Sequence, residues 1–207
     1  MARTAGSIGE RTEAAIREAA LGLMARRGYE AVSMRDLAAE VGVQPATLYR
    51  YFQTKEDLLF TLLVAHMQAL AAGWESARPA GSTATERLAA FVDNHIRFHV
   101  ARRHSAQISN TELRSLSHGR LSQVLKLRNA YEKELRAILR EGRDSGDFRL
   151  DDTGLTAMAI IQMLTGVIVW FRPDDRLTVD EVAESYLNMT MRLVGAAERK
   201  RDVRQHA

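Results

Sequence analysis

GVQPATLYRYFQTKEDLL, Gly42 to Leu59, is the stretch whose reading decides the fold. Gly42 breaks the chain, and Pro45 restarts it at a first-turn position where a missing N–H is harmless. A threonine, two tyrosines and an arginine then crowd into a very short helix, followed by the threonine-capped run TKEDLL. Just upstream, Ser33 opens another short helix with Asp36 in the capping-box position and Leu37, Ala38 and Val41 turned inward. Two short helices joined by a tight glycine turn match a helix-turn-helix. In that geometry the second helix enters the DNA major groove with its N-terminal residues toward the base edges.

Turned at roughly 100° per residue, the second helix separates two faces. Leu48 and Phe52 form the inward stripe. Gln44, Thr47, Arg50 and Tyr51 point outward, with Ala46 and Tyr49 at the margins. Arg50 can grip a guanine edge bidentately or a phosphate, and Gln44 can pair with an adenine edge or serve only as an indifferent cap. Thr47 suits a phosphate or a thymine methyl. Tyr49 and Tyr51 can donate hydroxyl protons to phosphate oxygens, which fixes register without reading sequence. Lys55 adds charge to the first turn of the next helix, where free backbone N–H groups already favour an anion.

Outward from this stretch the periodicity is helical nearly throughout, with prolines only at 45, 79 and 173. Ser33 with Asp36, Thr54 with Asp57, Thr83 with Glu86 and Thr178 with Glu181 all have capping-box spacing. The first helix spans Ile8 to Arg27, with Ile16, Ala20, Leu23 and Met24 on its apolar face. The fourth runs from Thr54 to near Ala77. Five more are expected at about 83–102, 104–116, 119–144, 152–171 and 178–200, ahead of a charged tail, RKRDVRQHA. The expected fold is therefore all-α, with about nine helices. A DNA-binding domain would occupy residues 1–54, and a ligand-binding and dimerisation domain residues 55–207.

Composition narrows the function. The 207 residues include no cysteine, which excludes disulfides and thiolate metal sites. The start lacks the apolar core of a signal peptide. The apolar run Leu155 to Phe171 falls short of the ~20 residues that span a bilayer. A cytoplasmic protein with no membrane partner is expected. No Walker A loop, HExxH or GxSxG occurs, so neither an enzyme nor a bound cofactor is expected. The net charge is +3, yet residues 1–60 balance eight Lys/Arg against eight Asp/Glu. Residues 97–149 hold twelve against six, a net of +6. Binding to DNA must then rest on where particular groups point and not on a general basic field.

In the second half, Leu155, Met158, Ile161, Met163, Leu164, Val167, Ile168 and Trp170 cover most of one helix circumference. Such a helix must be covered on all sides. Val179, Val182, Tyr186, Met189, Leu193 and Val194 make a stripe on the next. A four-helix contact in a homodimer satisfies both, with Leu155, Met158, Ile161, Val167, Val182, Tyr186, Met189 and Leu193 as its residues. Pocket candidates are Phe60, Leu63, Met67 and Trp74 on the fourth helix and Phe91, His95, Phe98 and His99 on the fifth. Leu125, Arg128 and Tyr131 follow on the seventh, with Met163 and Trp170 beyond. Each also suits plain core. His95 and His99 stand at i, i+4, a spacing that can hold a metal, but ordinary histidines are the expectation and no metal site is assigned.

GYEAVSMRDLA, VGVQPATLYRYF and TKEDLL, in this order and spacing, resemble the DNA-binding signature of the tetracycline-repressor (TetR) family of bacterial regulators. The chain departs at Gln44, where many members carry serine. The resemblance implies an all-α homodimer that binds a palindromic double-stranded DNA operator. It also implies a repressor that lets go when a small molecule fills the C-terminal domain, with the fourth helix as lever. LRNAYEKELRAILREGRDSGDF and GVIVWFRPDDRLTVDEV are similar to a subgroup that senses fatty-acyl or steroid-derived coenzyme A thioesters. Arginines 102, 103, 114, 120 and 128 could meet the polyanionic end of such an effector, or could form a solvated face. A neutral lipophilic effector, as in regulators of efflux or detoxification, is the alternative.

Overall fold

Every helix start that carries a capping box in the sequence is a helix start in the structure, a computed structural model that describes residues 8–174 and 176–196. The helices are α1 (Ile8–Arg27), α2 (Met34–Val41), α3 (Pro45–Tyr49), α4 (Lys55–Ala77), α5 (Ala84–Ala101), α6 (Arg103–Thr111), α7 (His118–Asp144), α8 (Thr153–Thr165), α9 (Val167–Trp170) and α10 (Val179–Leu193), with a 3-10 turn at Leu113–Ser115. Ser33 and Thr178 close full boxes with Asp36 and Glu181. At α4 the Thr54 N–H donates to Asp57 at 2.8 Å while the Asp57 N–H donates back to Thr54 at 3.0 Å. Thr83 and Glu86 repeat the exchange ahead of α5. Each box satisfies two of the donors that a helix start leaves free.

Two expected helices are each broken once. The 104–116 segment stops at Thr111 and re-forms as the 3-10 turn, closed by the Ser115 N–H on Glu112 O at 3.0 Å. The 152–171 segment tightens at Gly166, where the Val169 N–H reaches back three residues to Gly166 O at 3.1 Å. With α8 and α9 counted as one interrupted helix, nine α-helices remain among the described residues. The last helix ends at Leu193, short of the expected 200, where the Val194 N–H closes on Thr190 O at 3.0 Å and Gly195 turns the chain with a φ of 59°; the RKRDVRQHA tail lies outside the described residues.

The described chain divides into two compact units, one of residues up to Ala71 with Ala101–Asn129, the other of Ala72–Val100 with the residues from Ala130 onward. The core of the first joins Ile16, Ala20, Leu23 and Met24 of α1, Leu37 and Ala38 of α2, Leu48 and Phe52, Leu58, Leu59, Leu62 and Leu63 of α4, and Ile108, Leu116 and Val124. Helix α6 is tied into this core, since the Gln107 amide donates to Ala25 O at 3.0 Å. The second core holds Leu88, Phe91, Val92 and Ile96 of α5, Leu135, Ile138 and Leu139 of α7, then Phe148, Ile160, Leu164, Val167 and Val182. Helices α4 and α7 contribute residues to both units.

By length and composition alone, α4 and the α8–α9 pair could each cross a membrane. In α4 the apolar residues Leu58, Leu59, Leu62, Leu63, Met67 and Leu70 are buried in the fold, which is the ordinary use of such a helix. In α8 the inner face, Ala157, Ile160 and Leu164, is buried, while Leu155 and Met158 on the other face are exposed.

Candidate nucleic-acid interface

The α2–α3 turn depends on Gly42, whose φ of 73° lies in the left-handed region that a side chain disfavours. Its N–H donates to Ala39 O at 3.1 Å and the Val43 N–H to Ala38 O at 2.9 Å, closing the end of α2. Pro45 then opens α3, and Gln44 sits at its N-cap with no side-chain capping bond. The regular helix ends at Tyr49, but turns closed by the Tyr51 N–H and Phe52 N–H on Leu48 O, at 3.0 and 3.1 Å, carry the coil to Phe52.

This local winding gives the two faces. Leu48 and Phe52 are buried in the first core. Gln44, Ala46, Tyr49 and Arg50 are exposed, and Thr47 and Tyr51 are half-buried. Tyr49, at 48 % exposure, stands clear of the protein, whereas Tyr51 leans its ring on the core and leaves less of itself outward. Lys55 is placed differently from the rest. Its ammonium donates to Tyr29 O at 2.9 Å and lies 4.1 Å from the Tyr29 ring centroid, so it closes the turn after α1.

The first turn of α4, immediately behind α3, carries Glu56 and Asp57. Glu56 accepts from the Ser117 N–H at 2.8 Å and pairs with Arg120 at 3.5 Å. Asp57 caps α4 and accepts from the other terminal nitrogen of Arg120. Hydrogen bonds from Ser117, and then Arg120, hold the Glu56 carboxyl below the usual range. Thr54, and then Arg120, do the same for Asp57.

The pocket candidates fall in both units. In the second, Trp74, Phe91, His95, His99 and Tyr131 form one buried aromatic cluster. Trp74 meets Phe91 edge-on at 5.1 Å, Phe91 lies 5.0 Å from Tyr131, and His95 stacks on His99 at 4.0 Å. His95 is hydrogen-bonded through Nδ1 to the Tyr131 hydroxyl at 3.3 Å and through Nε2 to Thr165 at 3.0 Å. Burial pushes the Tyr131 phenol well above its usual range. Phe98 packs edge-on to His99, and Met163 is half-buried.

In the first unit Leu63 and Met67 are buried and Phe60 lies under the Arg120 guanidinium at 5.5 Å. Leu125 is exposed and lines a surface cleft of about 310 Å³ with His118, Leu121 and Lys126. Arg128 donates to Ser109 and Asn110, and burial lowers its pKa. The His99 Nδ1 is hydrogen-bonded to His95 O at 2.8 Å, and no cluster of three His, Cys, Asp or Glu residues able to hold a metal occurs among the described residues.

On the outer face of the second unit, Leu155 (62 %), Met158, Met189 and Leu193 are exposed, whereas Val167 and Val182 are buried within the chain. Ile161 and Tyr186 are half-buried. Trp170 donates its indole N–H to the Tyr186 hydroxyl at 3.2 Å and stacks on that ring, so it joins this exposed face. Val169, exposed at 74 %, belongs there too. It stands eleven residues after Met158, about three helical turns further on, and so falls on the same face.

Residues 16–62 match the family described as bacterial regulatory proteins, tetR family, and residues 81–194 match the tetracyclin repressor-like C-terminal domain. The transcriptional repressor KstR2 of Rhodococcus jostii is 27 % identical over 190 residues, covering 91 % of this chain and 92 % of that protein. A tetR-family regulatory protein from Rhodococcus RHA1 superimposes with a TM-score of 0.87 at 29 % identity, covering 91 % of this chain and 99 % of that one. AibR, solved with isovaleryl coenzyme A and operator DNA, gives a TM-score of 0.80 at 27 % identity, covering 90 % of this chain and all of that one (100 %). The chain therefore belongs to the tetR family of bacterial regulatory proteins, which are transcription factors and not enzymes.

Proposed function

We propose that this protein is a homodimeric repressor that binds a palindromic DNA operator through α3 and releases it when a small lipophilic or acyl-coenzyme A effector binds. The observation that carries the DNA half is the outward display of α3 on a buried Leu48–Phe52 anchor. Gln44, Ala46, Thr47, Tyr49, Arg50 and Tyr51 meet the groove and its phosphates, and Lys55 supports them from the turn beside α1. Residues 1–54 do the reading, and residues 55–207 bind effector and partner subunit. Such a protein works in the cytoplasm, where its operator is.

For the effector, support comes from AibR, which was solved with a coenzyme A thioester. Trp74, Phe91, His95, Phe98, His99, Tyr131 and Met163 would accept the apolar part, with Phe60, Leu63, Met67, Leu125 and Arg128 as further candidates. A second reading, a neutral lipophile, is favoured by one feature. In the buried cluster His95 hydrogen-bonds the neutral side chains of Tyr131 and Thr165.

Fluorescence anisotropy with a palindromic fragment from upstream of the gene tests the DNA half. Tyr49→Ala and Arg50→Ala should each weaken binding by about 1–3 kcal/mol, roughly 5- to 150-fold. Operator affinity unchanged in both variants removes α3 as the reading helix. Adding isovaleryl coenzyme A and longer acyl thioesters, against neutral lipophiles of similar size, separates the two effector readings by which set releases the fragment.

A further inference from the structure

The first turn of α4 poses an electrostatic difficulty. It follows α3 after only a short turn and shares its core through Phe52, Leu58 and Leu59, so it goes wherever α3 goes. Yet it carries two adjacent carboxylates in a module with no net positive charge over residues 1–60. Exposed acids beside a reading helix repel the phosphates it must approach.

The structure answers with one side chain from α7. Arg120 bridges both acids, one terminal nitrogen toward Glu56 and the other toward Asp57, and its guanidinium lies over the Phe60 ring. The side chains of Arg120, Glu56 and Asp57 are each only about 30 % exposed or less (29 %, 31 % and 27 %). That is a more protected setting than an exposed surface pair, and both ends of the guanidinium are used. Glu56 also accepts from the Ser117 N–H, one of the donors that the start of α7 would otherwise leave free. The starts of α4 and α7 are thus fastened by the same two carboxylates. Depressed acid pKa values mean the fastening is fully charged near neutral pH.

We propose that Arg120 is a positioning residue for operator binding, which cancels the charge of Glu56 and Asp57 behind α3 and holds the first turn of α4 in the DNA-binding arrangement. This rests on the assignment of α3 as the reading helix.

The test measures operator affinity of the full-length protein across salt concentrations, together with Tm. Arg120→Gln should weaken binding at least 10-fold at low salt with a Tm change of a few degrees at most, and the deficit should shrink as salt rises. The double variant Arg120→Gln/Glu56→Gln should regain part of the affinity, because one repelling charge is gone. A purely structural staple gives the opposite, with the double variant no better than the single. Wild-type affinity in Arg120→Gln, or a loss that only tracks Tm, overturns the proposal. If Arg120→Gln does not fold, Arg120→Lys decides: it keeps the charge and loses the fork, so binding should fall about 2- to 10-fold, while wild-type binding, or a larger fall that only tracks Tm, overturns the idea. Failure of the α3 assignment reads differently, since Tyr49→Ala would then leave wild-type binding intact.

Discussion

Gly142 is packed so closely that an added Cβ would run into the ring of Phe148, whose N–H donates to Gly142 O at 2.9 Å. Gly142→Ala should therefore cost about 1–3 kcal/mol through displacement of Phe148, read as a fall of roughly 2–4 °C in Tm for each kcal/mol in a chain of this size. An unchanged Tm would mean the Phe148 ring can turn aside freely. Gln44 is the contrasting residue. It occupies an N-cap without capping, although serine or aspartate there is worth about 1 kcal/mol. Gln44→Ser should raise stability by a few tenths of a kcal/mol or more and leave operator affinity unaltered only if Gln44 touches no base. The sequence made Gln44 visible as an odd residue because local capping rules apply there. Gly142 was not visible, because its constraint comes from a ring six residues away whose direction no periodicity records. Lys55 was visible as a charge, but its turn onto Tyr29 depends on tertiary packing.

At the scale of the helices, the starts were legible and the interiors less so. Capping boxes are local chemistry, so Ser33, Thr54, Thr83 and Thr178 marked four starts that the structure places at the same residues. The interruption at Gly166 and the short turn after Thr111 were not marked, since continuous apolar periodicity runs across both. The caps also set an acid limit. Hydrogen bonds from Ser33 lower Asp36, and those from Thr178 lower Glu181. Backbone N–H groups of Leu155 and Gly154 lower Asp152 at the start of α8. Folded values below the ordinary 3.8 for Asp and 4.5 for Glu mean that this stabilisation is complete above those values and disappears as pH falls through the lowered ones. Helicity followed by circular dichroism should thus be flat from neutral pH to about pH 5 as far as these groups are concerned, and should fall below about pH 4. Glu181→Gln should lessen that acid dependence. An equally steep acid transition in the variant would show that the α10 cap contributes nothing to it.

For the whole molecule, charge and apolar surface have different fates. Part of the positive excess in residues 97–149 is met by acids outside that stretch, with Arg97 on Asp93 and Asp180 and Arg120 on Glu56 and Asp57. The apolar surface is not matched. Leu155, Met158, Val169, Trp170, Met189 and Leu193 remain exposed on the second unit, and contiguous large apolar side chains of this kind mark an interaction surface. A second copy of the chain is the proposed cover, because paired α8 and α10 helices from two subunits make a self-complementary four-helix contact. Val167 and Val182 take no part in it, being filled from inside. These side chains are 40–74 % exposed, so covering each stabilises a dimer by roughly half of the 1.5–3 kcal/mol of a full burial, about 1 kcal/mol, and symmetry counts each twice. Leu155→Glu combined with Met189→Glu should therefore convert a dimer into a monomer at micromolar concentration in sedimentation equilibrium, and its Tm should lose any dependence on protein concentration. Binding to a two-half-site operator should fall much more than binding to a single half-site, since the link between the two reading helices is gone. A wild-type chain that sediments as a monomer at all concentrations would leave that apolar face without its proposed partner, and the operator would then have to be read one half at a time.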